Sequence, residues 1–323
     1  MFKKLNYKVL ILLLLVLAGI YLISEFGGSG YRTFKSQLVS LDTAKVDRII
    51  IGNPASGKMI LIRNTSGWQL EVGGKTYPVE ASAMRSLLIP LANMKSEGVA
   101  AISEEKHEDL QVNDSGGVHL LAKQEDKTLA DLYFGKLSYQ QPSTAVAPKA
   151  QAMQQYQQQG KMITYVRKGG EETVYAVEGF LRSTYGREVD DYRDKTLVKL
   201  NKEDVTHIDF NYTGKGSFSL EKMDDAWMID GAIADSAKTT SYLQKLGRQR
   251  AREFADDFDT REVEPEAIVK IEGNNFSPII LKAYPADTAR EYVITSSMNP
   301  GAKFSGAKGV YSRIFIDQEK LQK

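Results

Sequence analysis

The sequence predicts an α+β fold: two tandem repeats of a largely antiparallel sheet packed on one amphipathic helix, after a single N-terminal transmembrane helix. Three observations favour this fold class. An uncharged apolar run stands near the N-terminus, and a pattern of residues recurs later in the chain at a constant distance. Each copy of that pattern also has strand-like alternation on both sides of one helical stripe.

The first element is the apolar run Val9–Ile23, which contains no charged residue and follows Lys3, Lys4 and Lys8. Together with Tyr7 it is near the short end of the roughly 17–25 residues that span a bilayer as a helix. Lysines that precede such a helix predict that the N-terminus stays in the cytoplasm.

We therefore expect a cytoplasmic tail over residues 1–8, a transmembrane anchor over 9–24 and a membrane-proximal linker over 25–44. The chain is then a single-pass protein of the inner (cytoplasmic) membrane, with its bulk in the periplasm or another extracytoplasmic space. A cleaved signal peptide is the alternative. The uncleaved anchor is favoured because Tyr21–Phe26 lacks the A-x-A-like pattern of small residues that a cleavage site needs.

An internal repeat organises the rest of the chain. The differences 205 − 46, 220 − 61 and 227 − 68 are all 159, and they join three pairs of identical residues: Val46 and Val205, Leu61 and Leu220, and Trp68 and Trp227. The chain has only two tryptophans, so both occupy one equivalent position. We interpret them as core anchors, each packing its helix onto its sheet.

Each copy continues into an amphipathic helix. The apolar stripe is Met84, Leu87, Leu88 and Leu91 in the first copy, and Thr239, Tyr242, Leu243 and Leu246 in the second. Asp235 is a candidate N-cap for the second helix. The register is now 155 (243 − 88), which places four extra residues before the first helix. Pro90 predicts a kink or an early end of that helix.

Strand-like segments follow each helix. In the first copy they are Val118–Ala122, Leu129–Phe134, Met162–Arg167 and Thr173–Val177. In the second copy they are Ala267–Ile271, Pro278–Tyr284, Glu291–Thr295 and Gly309–Ile316. Each copy is therefore expected to hold three strands, a helix and about four strands, an order typical of antiparallel sheets rather than of βαβ units.

These elements predict a first repeat lobe over residues 45–180, a charged connector over 181–203 and a second repeat lobe over 204–323. Residues 140–160 are rich in Gln, Ala and Pro and are interpreted as a loop inserted in the first lobe. A partner-binding loop is one interpretation of this segment. A solvated excursion is favoured, because low-complexity composition is common without function.

The composition excludes several classes of function. Positive and negative side chains are nearly balanced, 42 against 41, whereas a nucleic-acid-binding domain normally has a basic excess. There is no cysteine, which excludes disulfides, thiolate metal sites and a cysteine nucleophile. Because the charges are nearly balanced, we expect no nucleic-acid partner.

One motif resembles a phosphate-binding loop. Gly52–Lys58 fits G-x-x-x-x-G-K, but a P-loop needs Ser or Thr after the lysine and a helix that begins there. Met59 follows instead and opens a strand-like run. The equivalent place in the second copy, Asn211–Gly216, is also a glycine-rich turn between two strands. The repeat therefore predicts a hairpin loop and not a nucleotide site.

The remaining polar residues give no catalytic pattern. His107, His119 and His207 lack the short spacing of a metal site, and each is interpreted as solvated or singly hydrogen-bonded. No serine stands in a G-x-S-x-G context. The adjacent acids and the basic run from Lys238 to Arg252 are interpreted as solvated surface, although the basic run could also face anionic lipid or an acidic partner. We therefore predict no catalytic, cofactor-binding or metal-ligating residue, no cofactor, and no enzymatic activity.

The paired units, each with a Gly-Trp or Ala-Trp strand end before its helix, resemble a widespread bacterial family of unknown function. So do Tyr165–Val177 (YVRKGGEETVYAV) and Tyr192–Leu200 (YRDKTLVKL). Members of that family are membrane-anchored and are often encoded beside ABC-type exporters and gliding-motility-type auxiliary proteins. The resemblance covers about residues 45–323, and it supplies no catalytic residues.

The resemblance implies a non-enzymatic accessory or scaffold protein of the cell envelope, with ABC-type transporter subunits as partners and the bilayer contacted through the anchor. An extracytoplasmic protein that binds an envelope glycan or lipid is the alternative. A hydrolase with a cleft between the lobes is a third hypothesis.

Overall fold

This computed structural model describes residues 37–141, 160–307 and 309–322. The predicted tail over 1–8 and anchor over 9–24 lie outside the described residues, as do most of the linker and most of the Gln-rich segment. Within the described ranges, none of the helices combines the length and the apolar character needed to cross a bilayer.

The first sheet has nine strands and is largely antiparallel. Its hydrogen-bonded order is β4-β3-β2-β1-β6-β7-β8-β9-β5. The strands are β1 Arg48–Asn53, β2 Gly57–Asn64, β3 Gly67–Val72, β4 Lys75–Pro78, β5 Gly98–Ala101, β6 Val118–Gln124, β7 Lys127–Gln140, β8 Lys161–Lys168 and β9 Val174–Glu178.

Ten more strands follow in the second half of the chain. They are β10 Thr196–Lys199, β11 Val205–Tyr212, β12 Gly216–Met223, β13 Ala226–Ile229, β14 Ala232–Ile233, β15 Arg248–Arg250, β16 Ala267–Gly273, β17 Ile279–Pro285, β18 Tyr292–Ser296 and β19 Phe304–Ser305. β10 and β15 form a two-stranded sheet, and the other eight form a sheet of order β14-β13-β12-β11-β16-β17-β18-β19.

In the described part of the chain, helices are few and short, and so are the 3₁₀ turns. They are α1 Ala81–Ala92, α2 Leu181–Tyr185, α3 Val189–Tyr192, α4 Ser236–Leu246 and α5 Val310–Ile314. Four single 3₁₀ turns accompany them, at Thr43–Lys45, Glu104–Lys106, Lys202–Asp204 and Gln318–Lys320. The described chain is thus a sheet-rich α+β structure, which confirms the predicted class at that level.

The internal repeat appears as two sheets with corresponding strand orders. Trp68 and Trp227 are each the second residue of their strand, β3 and β13. The carbonyl of Trp68 accepts the N–H of Val79, and that of Trp227 accepts the N–H of Ala234. The first span is 79 − 68 = 11 residues and the second is 234 − 227 = 7. The four extra residues predicted before the first helix therefore lie in the β3–β4 hairpin.

Both helical stripes are confirmed. All eight stripe residues of α1 and α4 are buried. Asp235 caps α4, because its Oδ1 accepts the N–H of Lys238 at 2.9 Å. α1 does not end early: it runs past Pro90 to Ala92 and is one residue longer than α4. Pro90 lies in the last turn, where its missing N–H removes one helical hydrogen bond, and buried Leu91 helps to hold that turn.

The P-loop-like motif is a hairpin loop, as the repeat predicts. β1 ends at Asn53 and its neighbour β2 begins at Gly57, without an intervening helix. Its counterpart joins β11 to β12, which pair directly. Gly57 and Gly214 have φ of 85° and 79°, a region that glycine enters without a steric penalty.

The predicted strand over Gly309–Ile316 is wrong. The segment forms α5, whose buried residues Val310 and Ile314 are four apart. The β-branched and aromatic composition favours a strand locally. The segment is helical because this spacing buries both residues in the same core. Phe304–Ser305 forms the edge strand of the sheet instead.

Contacts divide the chain into two compact units. One holds the described residues up to Ile60 together with Arg85–Gly186, and the other holds Leu61–Met84 and the described residues from Arg187 onward. In the first, α2 packs on β6 and β7, with the rings of Phe134 and Tyr185 stacked at 4.3 Å. In the second, α4 and α5 share the core of the eight-stranded sheet. The lobe boundaries predicted from the repeat stay a prediction.

Trp68 and Trp227 are less buried than the prediction of core anchors implies. Both are half-buried rather than fully enclosed. Trp227 packs against the core of the second unit, as predicted for an anchor of that sheet. The repeated position therefore marks a strand residue at the margin of the core, where an indole keeps part of its surface in water.

Candidate functional site

The eight-stranded sheet has one side turned away from its core, and we call this side the outer face. Directly opposite residues in antiparallel strands share a face, so the register defines its members. On five of its strands, the solvent-accessible members are Ser217, Ser219 and Glu221 on β12, His207, Asp209 and Asn211 on β11, Ile268, Lys270 and Glu272 on β16, Ile280 and Lys282 on β17, and Thr295 on β18. Tyr284 and Val293 continue the same face but are buried. The residues between the accessible members on the central strands are core.

Four ionisable side chains meet at the centre of the outer face. His207 Nε2 lies 2.8 Å from Asp209 Oδ1, and Lys270 Nζ lies 2.8 Å from Glu272 Oε1. Across the β11–β16 ladder His207 is opposite Glu272, and Asp209 is opposite Lys270. The hydrogen bond with Glu272 raises the pKa of Lys270 above its usual value.

Three of these side chains carry metal-ligand atoms in one place. Atoms of His207, Asp209 and Glu272 all lie within 4.8 Å of one another, and in the described part of the chain no other group of three such residues does. The sequence predicts His207 to be solvated or singly hydrogen-bonded, and in the structure it contacts Asp209. Glu272 cannot be predicted as its neighbour, because the cross-strand register that joins the two positions is not encoded locally.

A depression of about 750 Å³ lies beside this centre, over β17, β18 and the segment Asp256–Arg261. Lys282 and Thr295 are opposite each other on its floor. Phe258 and Tyr284 contribute rings whose centroids are 6.4 Å apart. The depression thus combines an ammonium and a hydroxyl of the outer face with the ring of Phe258 and the largely buried ring of Tyr284.

Acids around the depression are paired with nearby cations. Asp257 accepts a hydrogen bond from Arg290 at 2.6 Å, which lowers the pKa of Asp257. Asp259 is bound by Arg261, which holds the pKa of that carboxyl well below its usual range. These acids are therefore ionised at neutral pH.

A second polar cluster, the arginine centre, consists of Arg193, Asp190, Asp256, Tyr77 and Phe254. Both terminal nitrogens of Arg193 bond Asp256, at 2.6 and 3.0 Å, and one also bonds Asp190 at 2.9 Å. The guanidinium carbon lies 4.0 Å from the centroid of the Tyr77 ring and 3.5 Å from that of Phe254. Burial alone would lower the pKa of Arg193. The hydrogen bonds with Asp190 and Asp256 outweigh this effect, so the pKa of Arg193 is raised.

The arginine centre holds chain segments of the second unit together rather than presenting a free guanidinium to a ligand. Only 5% of the Arg193 side chain is exposed, and its carboxylate contacts occupy both of its terminal nitrogens. Nearby, Arg250 of β15 binds Glu80, and this hydrogen bond is the main cause that lowers the pKa of Glu80. The Tyr77–Glu80 segment is thereby attached to residues 190–256 within the second unit.

Asp190 and Asp256 are both exposed, as expected for adjacent acids on a solvated surface, and in addition both bind Arg193. Asp256 binds Arg193 whereas its neighbour Asp257 binds Arg290, so the two acids of this pair do point apart as expected. The basic run is exposed as predicted, since the side chains of Lys238, Lys245, Arg248, Arg250 and Arg252 all lie on the surface.

The first unit also carries a histidine on the side of its sheet away from the core. His119 Nε2 lies 2.7 Å from Asp131 Oδ1, and the imidazole stacks on Tyr133 at 4.2 Å. Arg167 covers the same ring at 4.2 Å. Burial, with a hydrogen bond to Asp114, raises the pKa of Tyr133 to about 12. Tyr133 is therefore a neutral phenol at physiological pH.

His107 is the third histidine, and it is buried in spite of its charged neighbours in sequence. Its Nε2 lies 2.7 Å from the carbonyl oxygen of Glu172. The interpretation of each histidine as solvated or singly hydrogen-bonded stays a prediction: His107 is buried, whereas His119 and His207 are partly exposed.

Comparison with known families gives one match. Residues 157–268 contain a domain described as "Domain of unknown function (DUF4340)". The matched range includes Arg193 and Asp256 of the arginine centre, and His207 and Asp209 of the outer face, whereas Glu272 follows it. Neither the curated proteins nor the solved structures gave a match to the chain.

Proposed function

We propose that this chain is a non-enzymatic, membrane-anchored accessory or scaffold protein of the cell envelope. We place residues 9–24 across the inner membrane and the sheet-rich part of the chain outside the cytoplasm, where the outer face binds a membrane-protein partner. ABC-type transporter subunits are the partners that we expect.

The outer face is the observation that carries the proposal. Its strands β12, β11, β16, β17 and β18 hold 8, 8, 7, 7 and 5 residues. Strands lie about 4.8 Å apart and rise about 3.4 Å per residue, so five strands of about seven residues present roughly 24 by 24 Å. That plan area of roughly 570 Å² is of the order of the ~800 Å² that one partner buries in a standard complex.

The chemistry of the outer face also suits protein binding. It carries both signs of charge in fixed positions, with Asp209, Glu221 and Glu272 against Lys270 and Lys282. Complementary charges at an interface contribute orientation and specificity more than affinity. The aromatic rings in the adjoining depression are of the residue type that anchors interfaces.

Two sequence features support the membrane and transporter parts of the proposal. Lysines precede the apolar run over residues 9–23, which favours an uncleaved anchor with the bulk outside the cytoplasm. The segments Tyr165–Val177 and Tyr192–Leu200, on which the resemblance to the exporter-associated family rests, both lie within the DUF4340 domain.

Co-purification tests the proposal. The full chain is isolated from its own membranes in mild detergent, and the recovered proteins are identified. We expect transporter subunits with the wild type and a loss of at least tenfold with Ser217→Arg/Lys282→Glu, which changes two positions of the outer face. Ser66→Arg/Lys58→Glu is the matched control, because it makes the same changes at exposed hairpin positions of the first repeat.

If the wild type recovers no transporter subunit, the transporter assignment is wrong. Equal recovery with both double variants would show that the outer face is not the docking surface.

The depression favours one second candidate, an extracytoplasmic protein that binds an envelope glycan or lipid. Aromatic rings with a hydroxyl and an ammonium are typical of a polar ligand site. Calorimetric titration with a peptidoglycan digest and with anionic phospholipid vesicles tests it. Saturable heat that Tyr284→Ala removes supports this candidate, and no heat with either probe eliminates it.

A further inference from the structure

We propose that His207, Asp209 and Glu272 form a binding site for one divalent transition-metal ion of the zinc class. The sequence predicts no metal ligands, and neither the family match nor the proposed scaffold function assigns a metal to this chain. The proposal depends on the geometry of the outer face alone.

The three ligand atoms are close enough for one ion. Zinc binds imidazole nitrogen and carboxylate oxygen at about 2.0–2.2 Å, so ligand atoms around a tetrahedral ion are about 3.4 Å apart. His207 and Asp209 are already at 2.8 Å, and no pair in the set exceeds 4.8 Å. To close the widest gap, side-chain rotation must bring the two ligand atoms about 1.4 Å closer together.

The backbone holds these side chains in fixed register. β11 is an inner strand, hydrogen-bonded to β12 on one side and β16 on the other. His207 and Asp209 are two residues apart and so project to one side, and Glu272 is directly opposite His207. The intervening Ile208 and Ile271 are fully buried and fix the strands from below. Ligands on such rigid elements lose little entropy when the ion binds.

The ligand set selects the class of ion. Calcium and magnesium prefer oxygen ligands alone, whereas an imidazole beside carboxylates suits zinc, cobalt or nickel. Three protein ligands leave a fourth position for water or for a ligand from another molecule. All three side chains keep part of their surface in water, so the ion can enter directly.

Lys270 is the competitor of the ion. Its ammonium bonds Glu272 at 2.8 Å and stands opposite Asp209, where it neutralises the carboxylates. A metal ion must displace it. Repulsion between a divalent ion and an ammonium about 6 Å away in water corresponds to roughly tenfold in affinity. Lys270→Met should therefore bind the metal about tenfold more tightly than the wild type, an effect opposite to that of removing a ligand.

The test uses the full chain in detergent, without a polyhistidine tag and stripped of metal by a chelator. Zinc binding is measured by equilibrium dialysis with metal analysis, and ligand geometry by the visible absorption of added cobalt. We expect one zinc ion per wild-type chain. His207→Asn should lower the affinity by about 100-fold or more, since loss of a mere supporting residue already costs 10–100-fold. Asp209→Asn and Glu272→Gln should each weaken binding.

His119→Asn is the matched control. His119 also pairs with an aspartate, at 2.7 Å, but belongs to no three-ligand group within the described residues. Its replacement should leave stoichiometry, affinity and the cobalt spectrum unchanged.

Wild-type chain that binds no zinc, or His207→Asn that binds it as the wild type does, overturns the proposal. So does a decrease in affinity with Lys270→Met. Circular dichroism of each variant confirms that its fold is retained, and the agreement of three separate ligand variants guards against a single misfolded one. These readouts are independent of transporter co-purification, so the two proposals can fail separately.

Discussion

Arg193→Met removes the guanidinium of the arginine centre while leaving an unbranched apolar side chain between the rings of Tyr77 and Phe254. The wild-type group makes a two-bond contact with Asp256 and a single bond with Asp190. Both acids keep contact with water, because 42% and 52% of their side chains are exposed. Loss of Arg193 therefore does not leave either carboxylate as an unpaired buried charge.

The expected loss follows from these contacts. The two-bond contact from a buried arginine contributes about 2 kcal/mol, toward the lower part of the range for hydrogen bonds to charged groups. The Asp190 contact adds about 0.5 kcal/mol because that acid is solvated, and the ring contacts add about 1 kcal/mol. We expect Arg193→Met to lower the free energy of unfolding by about 3.5 kcal/mol, near the low end for breaking a buried ion pair.

Urea unfolding of the full chain in detergent measures this loss, with the fluorescence of Trp68 and Trp227 as the signal. They are the only tryptophans in the chain. Arg193→Lys should keep less than half of the stabilisation, because one ammonium cannot reproduce the two parallel hydrogen bonds that the planar guanidinium donates to Asp256. Arg261→Met is the control: this arginine also binds an aspartate, but its side chain is 87% exposed, and no measurable change is expected. A loss below about 1 kcal/mol for Arg193→Met, or equal effects at both arginines, would show that the arginine centre does not stabilise the fold.

Three further predictions concern the second unit. Asp235→Ala should lower the free energy of unfolding by about 1 kcal/mol, because α4 loses its N-cap bond, measured by urea unfolding. Leu246→Ala should cost about 3 kcal/mol by the same assay, whereas Ile233→Ala, at a residue 60% exposed, should stay within about 0.5 kcal/mol; equal effects would contradict the assigned core. The hydrogen bond from Arg250 lowers the pKa of Glu80 below 4.5, so this pair stabilises the fold above that pH and the stabilisation is lost as the pH falls. Glu80→Gln should therefore flatten the dependence of the melting temperature on pH below about 4.5, and an unchanged slope would show that the pair does not contribute.

The repeat and its helices could be predicted because their signals are local or periodic. The residues of each helical stripe recur every three or four positions, and the tryptophans recur 159 positions apart. The repeat also resolved the P-loop-like motif, since the corresponding hairpin in the second copy has no lysine followed by a helix. In the same way, the difference of four residues before the helix located an insertion that the structure assigns to the β3–β4 hairpin.

The candidate sites could not be predicted in the same way, because their members are far apart in sequence. Tyr77, Arg193 and Asp256 meet only after three separate segments pack together. His207 and Glu272 meet through a strand register, and a shift of one residue would place them on opposite faces. The C-terminal segment Gly309–Ile316 was misassigned for a related reason: burial against the core of the second unit outweighed its local β-propensity.

Accessibility of single cysteines tests whether an N-terminal helix anchors the sheet-rich part of this protein outside the cytoplasm. The natural chain has no cysteine, so each introduced thiol is the only one. Lys3→Cys reports on the N-terminal tail, and Lys215→Cys reports on the exposed loop between β11 and β12. Intact cells, with the outer layers made permeable, are treated with a maleimide that cannot cross the inner membrane.

We predict that the thiol at position 215 reacts in intact cells, that the thiol at position 3 reacts only after lysis, and that both proteins sediment with membranes. Labelling of position 3 together with protection of position 215 would contradict the account, and so would recovery of the chain in the soluble fraction.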